Sequence, residues 1–173
     1  MRPDQQPYER ETMTLRLPHY DSTKKTTKIP DDALNILRDG FFAYLGTADL
    51  VCEPHVTAMF YIWDDDSKTI HLITSKESKK VLNIRRNTRV SVTIDQRDPK
   101  SPARNSGVMV KGRALLVEME LIDDELTVKY LEKYVEFLGT GYPLGLRIAI
   151  RVVPQTISYW KGTNFYRWKN RSS

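Results

Sequence analysis

Between residues 41 and 95 the spacing of apolar positions changes period twice. FFAYLGT, HVTAMFYIW and TIHLITS read as strands, rich in branched and aromatic residues and bounded by turn formers. KESKKVLNIRRN then sets Val81, Leu82 and Ile84 at helical spacing as a core-facing set, with Ser75 or Ser78 as the cap. RVSVTID returns to alternation. The pattern predicts strands over residues 41–47, 55–63, 69–74 and 90–94, with a short basic helix ending near Arg86. Ala48 to Pro54 and the DDDS run supply the turns. Upstream, Pro30 and Asp31 open a helix through Arg38, with Gly40 as its stop.

Beyond Asp95, QRDPKSPARNSG has the composition of a loop, and residues 108–117 form a long strand with a bulge or bend at Gly112. Residues 119–138 read as a helix, because Leu121, Leu126, Val128, Leu131, Tyr134, Val135 and Leu138 recur at roughly helical spacing. GTGYPLG ends it. Strands follow over 146–153 and 156–160, with Pro154 as the break between them. The result is about seven strands and three helices joined mostly by hairpin-length connections, a mainly β (α+β) chain. Such connections favour an antiparallel barrel with peripheral helices over a parallel sheet. There are no internal repeats.

The chain has 173 residues, enough for one domain with a substantial core. Residues 1–28 are polar, hold three prolines, Pro3, Pro7 and Pro18, and end in DSTKKTTK; they read as an arm ahead of a domain over 29–173. That opening segment carries Asp and Glu and has no apolar centre, so a signal peptide is not expected. No apolar run reaches the roughly 20 residues of a membrane span. Cys52 is the lone cysteine, which excludes an internal disulfide framework and points to a reducing cytoplasm. The net charge of +5 favours an anionic partner without choosing between nucleic acid and a phosphorylated cofactor, and is equally compatible with none.

One place gives that charge a use. Thr74 and Ser75 stand at the exit of a strand, and Ser78, Lys79 and Lys80 at the mouth of the helix after it. Helix-start N–H groups favour a phosphate, and hydroxyls with two ammonium groups add to the attraction. Arg85, Arg86 and Arg89 lie on the same stretch as further cations or as surface ion-pair partners. His19 and His71 have no companions at metal-ligand spacing, so no metal site is expected. Cys52 sits in a turn beside Glu53 and reads as incidental.

The order of these runs, from PHVTAMFY through IHLITS, ESKKVLNIRRN and RVSVTID to GVMVKGRALLV, resembles the split-barrel flavin-binding family related to pyridoxamine 5′-phosphate oxidase. The closing RIAIRVVPQTISYWKG is similar to that family's last strands, and the likeness spans roughly residues 30 to 162. It implies an antiparallel split β-barrel of about six to seven strands and a homodimer binding FMN, or in one branch F420, between subunits. Carried over, His55, Val56, Thr57 and Ala58 would lie beside the flavin ring. Ile73 and Thr74 would flank the ribityl phosphate, Lys79 and Lys80 would bind it, and Trp160 would come from the second subunit. Gly107 replaces a polar residue that often reaches the ring. A haem-binding branch exists too, but no histidine is placed as an axial ligand.

The departures narrow the function. Met59 stands where authentic pyridoxamine phosphate oxidases tend to have Lys, and Tyr166-Arg167-Trp168 where they carry Arg-x-His. Both changes argue against synthesis of pyridoxal phosphate. The expected activity is hydride transfer between a flavin and a small organic substrate, with no acid–base residue identified; the alternative from another class is a flavin- or nucleic-acid-binding module without turnover. The aromatic tail (Tyr159, Trp160, Phe165, Tyr166, Trp168) alternates with cations and could stack nucleic-acid bases or line a subunit interface; the interface is the favoured reading. No dinucleotide fingerprint is present, so nicotinamide use has no support.

Overall fold

Alternation builds most of the sheet. In the computed structural model, which describes residues 24–138 and 147–170, the strands run β1 (Lys24–Thr26), β2 (Ala43–Ala48), β3 (Pro54–Met59), β4 (Ile62–Asp64), β5 (Thr69–Ser75), β6 (Arg89–Gln96), β7 (Ser106–Glu118), β8 (Arg147–Lys161) and β9 (Asn164–Lys169). The helices are α1 (Asp31–Asp39), α2 (Lys79–Arg86) and α3 (Asp124–Leu138). Neighbouring strands follow the order β1-β9-β8-β7-β6-β2-β3, and β5 pairs with both β4 and β8. The chain passes from β3 to β4 through Phe60 and Tyr61, so the sheet curls round into a barrel. All pairings are antiparallel except β1 with β9.

Inside the barrel lie Leu45, Leu72, Val92, Val110, Ile150 and Ile157, each at most 1% exposed. Helix α1 adds Ala33, Ile36 and Leu37 to this core. Its acidic first turn (Asp31, Asp32) and Arg38 in its last both suit the helix dipole. A smaller apolar cluster sits outside the barrel, where Tyr130 and Tyr134 of α3 cover Ile62 and Ile73. That cover is why β5 is buried on both faces up to Ser75.

Several expectations need correction. Residues 55–63 are not one strand. The ladder stops at Met59 and resumes at Ile62, and the Tyr134 hydroxyl takes up the backbone between. It accepts the Tyr61 N–H (3.0 Å) and lies 2.8 Å from Tyr61 O and 2.9 Å from Phe41 O. Pro154 does not break its strand either: β8 runs through it. There β8 exchanges one neighbour for another, pairing with β5 up to Val152 and with β9 from Thr156. A proline N–H is not needed where no partner strand stands opposite. On the other side β7 shifts register between Lys111 and Gly112, as the bulge at Gly112 anticipates. A Cβ on Gly112 would stand 2.2 Å from Val153 O.

On α2, Val81 and Ile84 are buried but Leu82 is 45% exposed; Asn83 takes the inward place instead. On α3, Tyr130 and Tyr134 are buried while Leu121, Val128, Leu131 and Val135 are exposed, and Met119–Leu121 is a separate 3-10 turn. Lys24–Thr26, at the end of the anticipated arm, forms β1. Residues 1–23 and the GTGYPLG segment lie outside the described residues. No helix among the described residues is long and apolar enough to cross a membrane.

Candidate functional site

The break at Phe60 and Tyr61 leaves a seam. β3 pairs only with β2, and β5 beyond His71 pairs only with β8, so two half-free edges face each other across a gap. Unpaired strand edges present alternating N–H and C=O groups to whatever enters. A cavity of about 220 Å³ occupies this seam, lined by Thr57 and Ala58 of β3, Ile73 and Thr74 of β5, and Lys80 of α2. Phe42, Phe60 and Tyr130 close its apolar end.

Helix α2 is held in place by a buried polar tie. Asn83 Nδ2 donates to Thr47 Oγ1 at 3.1 Å, fixing the helix against β2. The helix opens at Ser78, whose carbonyl accepts the Val81 and Leu82 N–H groups at 2.9 and 3.1 Å. The N–H groups of Lys79 and Lys80 are therefore helix-start donors without a turn to close on. Ser78 holds the N-cap position but makes no capping bond; its hydroxyl is buried and has no partner. Ser75 Oγ accepts the Glu77 N–H at 3.4 Å.

The two adjacent lysines, about 100° apart round the helix, take different directions. Lys79 turns to the β2–β3 loop, with Nζ 3.7 Å from Asp49 Oδ2. Lys80 enters the seam, where burial lowers its pKa and no carboxylate offsets the loss of water. A partly buried cation, Thr74 at 7% exposure and the start of a helix thus stand at the seam with no anion in its lining. That set fits a phosphate group. Arg85 and Arg86 sit at the far end of α2, about 10 Å along its axis from Lys79. Arg89 belongs to β6 and lines a different cavity.

The remaining anticipated residues are placed as follows. His55 lies on β3 with Nε2 3.0 Å from Thr57 Oγ1. Val56 is 65% exposed and lines a second concavity of about 440 Å³ with Gly46, Ser91 and Lys111, not the seam. Trp160 lies at the opposite end of β8 from the β5 pairing, over Gly107; a Cβ there would meet its ring at 2.2 Å. The tail aromatics largely pack within their own chain: Tyr159 is buried, it stacks on Tyr166 at 5.7 Å, and Tyr166 and Trp168 pack on the core. No group of three or more His, Cys, Asp or Glu side chains among the described residues could hold a metal.

Sequence reasoning missed Asn83, Phe42, Phe60 and Tyr130. The signal for Asn83 was available, as a polar residue at helical spacing within an apolar set. No carboxylate, thiol or imidazole lines the seam.

A split β-barrel with an open seam beside α2 is the class that this fold defines. Residues 29–161 match the family model described as pyridoxamine 5′-phosphate oxidase, and the chain belongs to that family. Among solved structures, an F420 reductase is 22% identical with a TM-score of 0.61, over 75% of this chain and 98% of its own. An FAD-binding protein from Mesorhizobium loti is 21% identical with a TM-score of 0.59, over 78% and 95%. A heme-binding protein from Mycobacterium smegmatis is 14% identical with a TM-score of 0.60, over 83% and 60%. At these identities the likeness is one of fold. No curated protein matches the sequence.

Proposed function

We propose that this protein binds FMN at the seam and serves as a flavin-dependent oxidoreductase on a small organic substrate. The observation that carries the reading is Lys80, a partly buried cation that lines the seam beside Thr74 with no carboxylate in the lining. In this reading Lys80, Ser78, Thr74 and Ser75 hold the phosphate with the helix-start N–H groups. The free edge of β3 at Thr57 and Ala58 and the β5 edge at Ile73 orient the ring. Bound there, a flavin supplies two-electron redox chemistry, and the protein contributes position and electrostatics. The protein works as a homodimer in which Trp160 of a second copy closes the cleft. Met59, buried at the end of β3, puts no cation at the seam, which turns the site away from a phosphorylated pyridoxine substrate.

The test is cofactor content after purification. One charge-assisted hydrogen bond contributes about 1.5–3 kcal/mol, so Lys80→Met should weaken flavin binding roughly ten- to hundredfold. Lys79→Ala, whose partner is Asp49, should change it by less than about threefold, the size expected of an exposed ion pair. Full flavin retention by Lys80→Met would sink the assignment. The structural likeness to an F420 reductase keeps a deazaflavin as the second reading, and the mass of the cofactor released by heat separates the two.

A further inference from the structure

A second cavity, of about 120 Å³, lies under the link from β7 to α3, and it shares no lining residue with the seam. Val117, Leu121, Ile122 and Leu126 make it apolar on one side. His71 of β5 and Arg151 of β8, directly paired across the two strands, make it polar on the other. Each carries an unpaired atom: His71 Nδ1 and Arg151 Nε are buried and have no hydrogen-bond partner. His71 is only 8% exposed, and no carboxylate lies within ion-pair distance of Arg151 among the described residues. An apolar cavity could stay empty, but one with a stranded donor and acceptor has lost water contacts that a ligand would restore.

The hydrogen-bond chain behind His71 decides what that ligand must offer. Ser67 Oγ donates to Asp64 Oδ2, since a carboxylate below its usual pKa can only accept. The Ser67 proton is thereby committed, so the 2.6 Å contact between Ser67 and Thr69 is made by the Thr69 proton. Thr69 Oγ1 must then accept from His71 Nε2, 2.8 Å away. His71 is therefore the Nε2–H tautomer, and its Nδ1 keeps an unshared lone pair in the wall of the cavity. Arg151 beside it offers N–H and positive charge.

We propose that this cavity binds a small oxyanion carrying its own O–H, for which bicarbonate is the simplest member. The negative oxygens meet Arg151, and the O–H donates to His71 Nδ1. The volume is several times the ~30 Å³ that one water occupies in the liquid, which suits such a small ion. Asp123 stands at the cavity's exposed rim, where its Oδ1 accepts the Glu125 N–H at 2.8 Å and caps α3. It opposes the anion from solvent without pairing Arg151.

Bicarbonate and nitrate are both planar monoanions of similar size, but nitrate has no proton to give. Titrating the full chain near pH 8, followed by calorimetry and by the His71 ring ¹⁵N shifts, distinguishes them. Bicarbonate should bind about tenfold or more tightly than nitrate, because a site that accepts a ligand's O–H rejects analogues that lack it. Its binding should move the Nδ1 resonance as a lone pair becomes engaged. Arg151→Gln should lose about tenfold in affinity, and Asp123→Asn, which keeps the cap, should gain a few-fold. Equal binding of both ions, no binding of either (water alone in the cavity), or a proton found on Nδ1 would each overturn the proposal. Should Arg151→Gln fail to fold, the wild-type ion pair and the ¹⁵N spectrum still decide it.

Discussion

Replacing Tyr134 with Phe removes one oxygen atom and tests why the barrel opens where it does. The hydroxyl is fully buried; it accepts the Tyr61 N–H at 3.0 Å and lies within 2.9 Å of Tyr61 O and Phe41 O. Its ring stacks on Phe60 at 4.2 Å, a contact that phenylalanine retains. The loss is therefore almost purely polar: the Tyr61 N–H loses its acceptor and a backbone carbonyl the hydroxyl's proton, at a combined cost of about 1–3 kcal/mol. For a chain of this length, each kcal/mol corresponds to roughly 2–4 °C, so Tm should fall by about 4–8 °C for a central cost of about 2 kcal/mol. Tyr61→Phe is the internal control. The Tyr61 hydroxyl donates to Ile36 O at 3.1 Å, but that carbonyl also accepts Gly40 N–H at 2.9 Å and stays satisfied. Its loss should cost nearer 1 kcal/mol. Urea titrations of the three proteins should show a lower midpoint with unchanged slope, ordered Tyr134→Phe below Tyr61→Phe below wild type. If Tyr134→Phe lies within about 0.5 kcal/mol of wild type, the size of an ordinary surface change, the hydroxyl does not hold the break.

Two further outcomes follow from single contacts. Gly112→Ala drives a Cβ to 2.2 Å from the Val153 carbonyl, whereas Gly46→Ala meets only the Ser91 hydroxyl at 2.6 Å, which can rotate away. Gly112→Ala should cost about 3 kcal/mol or more by denaturant titration and Gly46→Ala less than about 1 kcal/mol; equal costs would refute the bulge argument. His71 should make stability acid-sensitive, because burial and then Arg151 lower its pKa from 6.5 to about 4. Asp64 attracts its proton from one side and Asp123 stands at the rim of its cavity. The unfolded chain takes up this proton near pH 6.5 and the folded chain only near pH 4, so between those values acid favours unfolding. The contribution is full above pH 6.5 and falls by about 3 kcal/mol as pH drops to 4, and His71→Gln should flatten that decline. An unchanged decline in the variant would place the effect elsewhere.

Much of the sheet was legible because alternation and turn chemistry fix strands independently of their partners. β2, β5, β6 and β7 fall close to where the pattern sets them. What pattern cannot convey is which neighbour a strand has at each step. Pro154 reads as a break only if its N–H is wanted, and at the point where β8 leaves β5 for β9 it is not. Helix α3 carries two apolar stripes on opposite sides, one through Leu126, Tyr130 and Tyr134 and another through Val128, Leu131 and Val135. Helical periodicity detects either. Only the packing shows that the aromatic stripe turns inward, towards Ile62 and Ile73.

The site shows the same division. Hydroxyls and lysines at a strand-to-helix junction suggest an anion site from sequence alone, but the pattern does not say which lysine lines the cleft. Asp49 takes Lys79, and Lys80 is left as the cation in the seam. The deeper gap in the sequence reading concerns the strand itself. HVTAMFYIW looks like one uninterrupted run because every residue in it suits a strand. Had it been regular throughout, β3 would have continued along β5 and sealed the barrel at Leu72–Ser75. Because the ladder stops at Phe60 and Tyr61, Thr57 and Ala58 stand apart from Ile73 and Thr74, and the space between them is the cavity. The irregularity is stabilised by a hydroxyl on a helix more than seventy residues further along the chain. No local window contains that partner, so the feature that opens the cleft is the one that local patterning is least able to see.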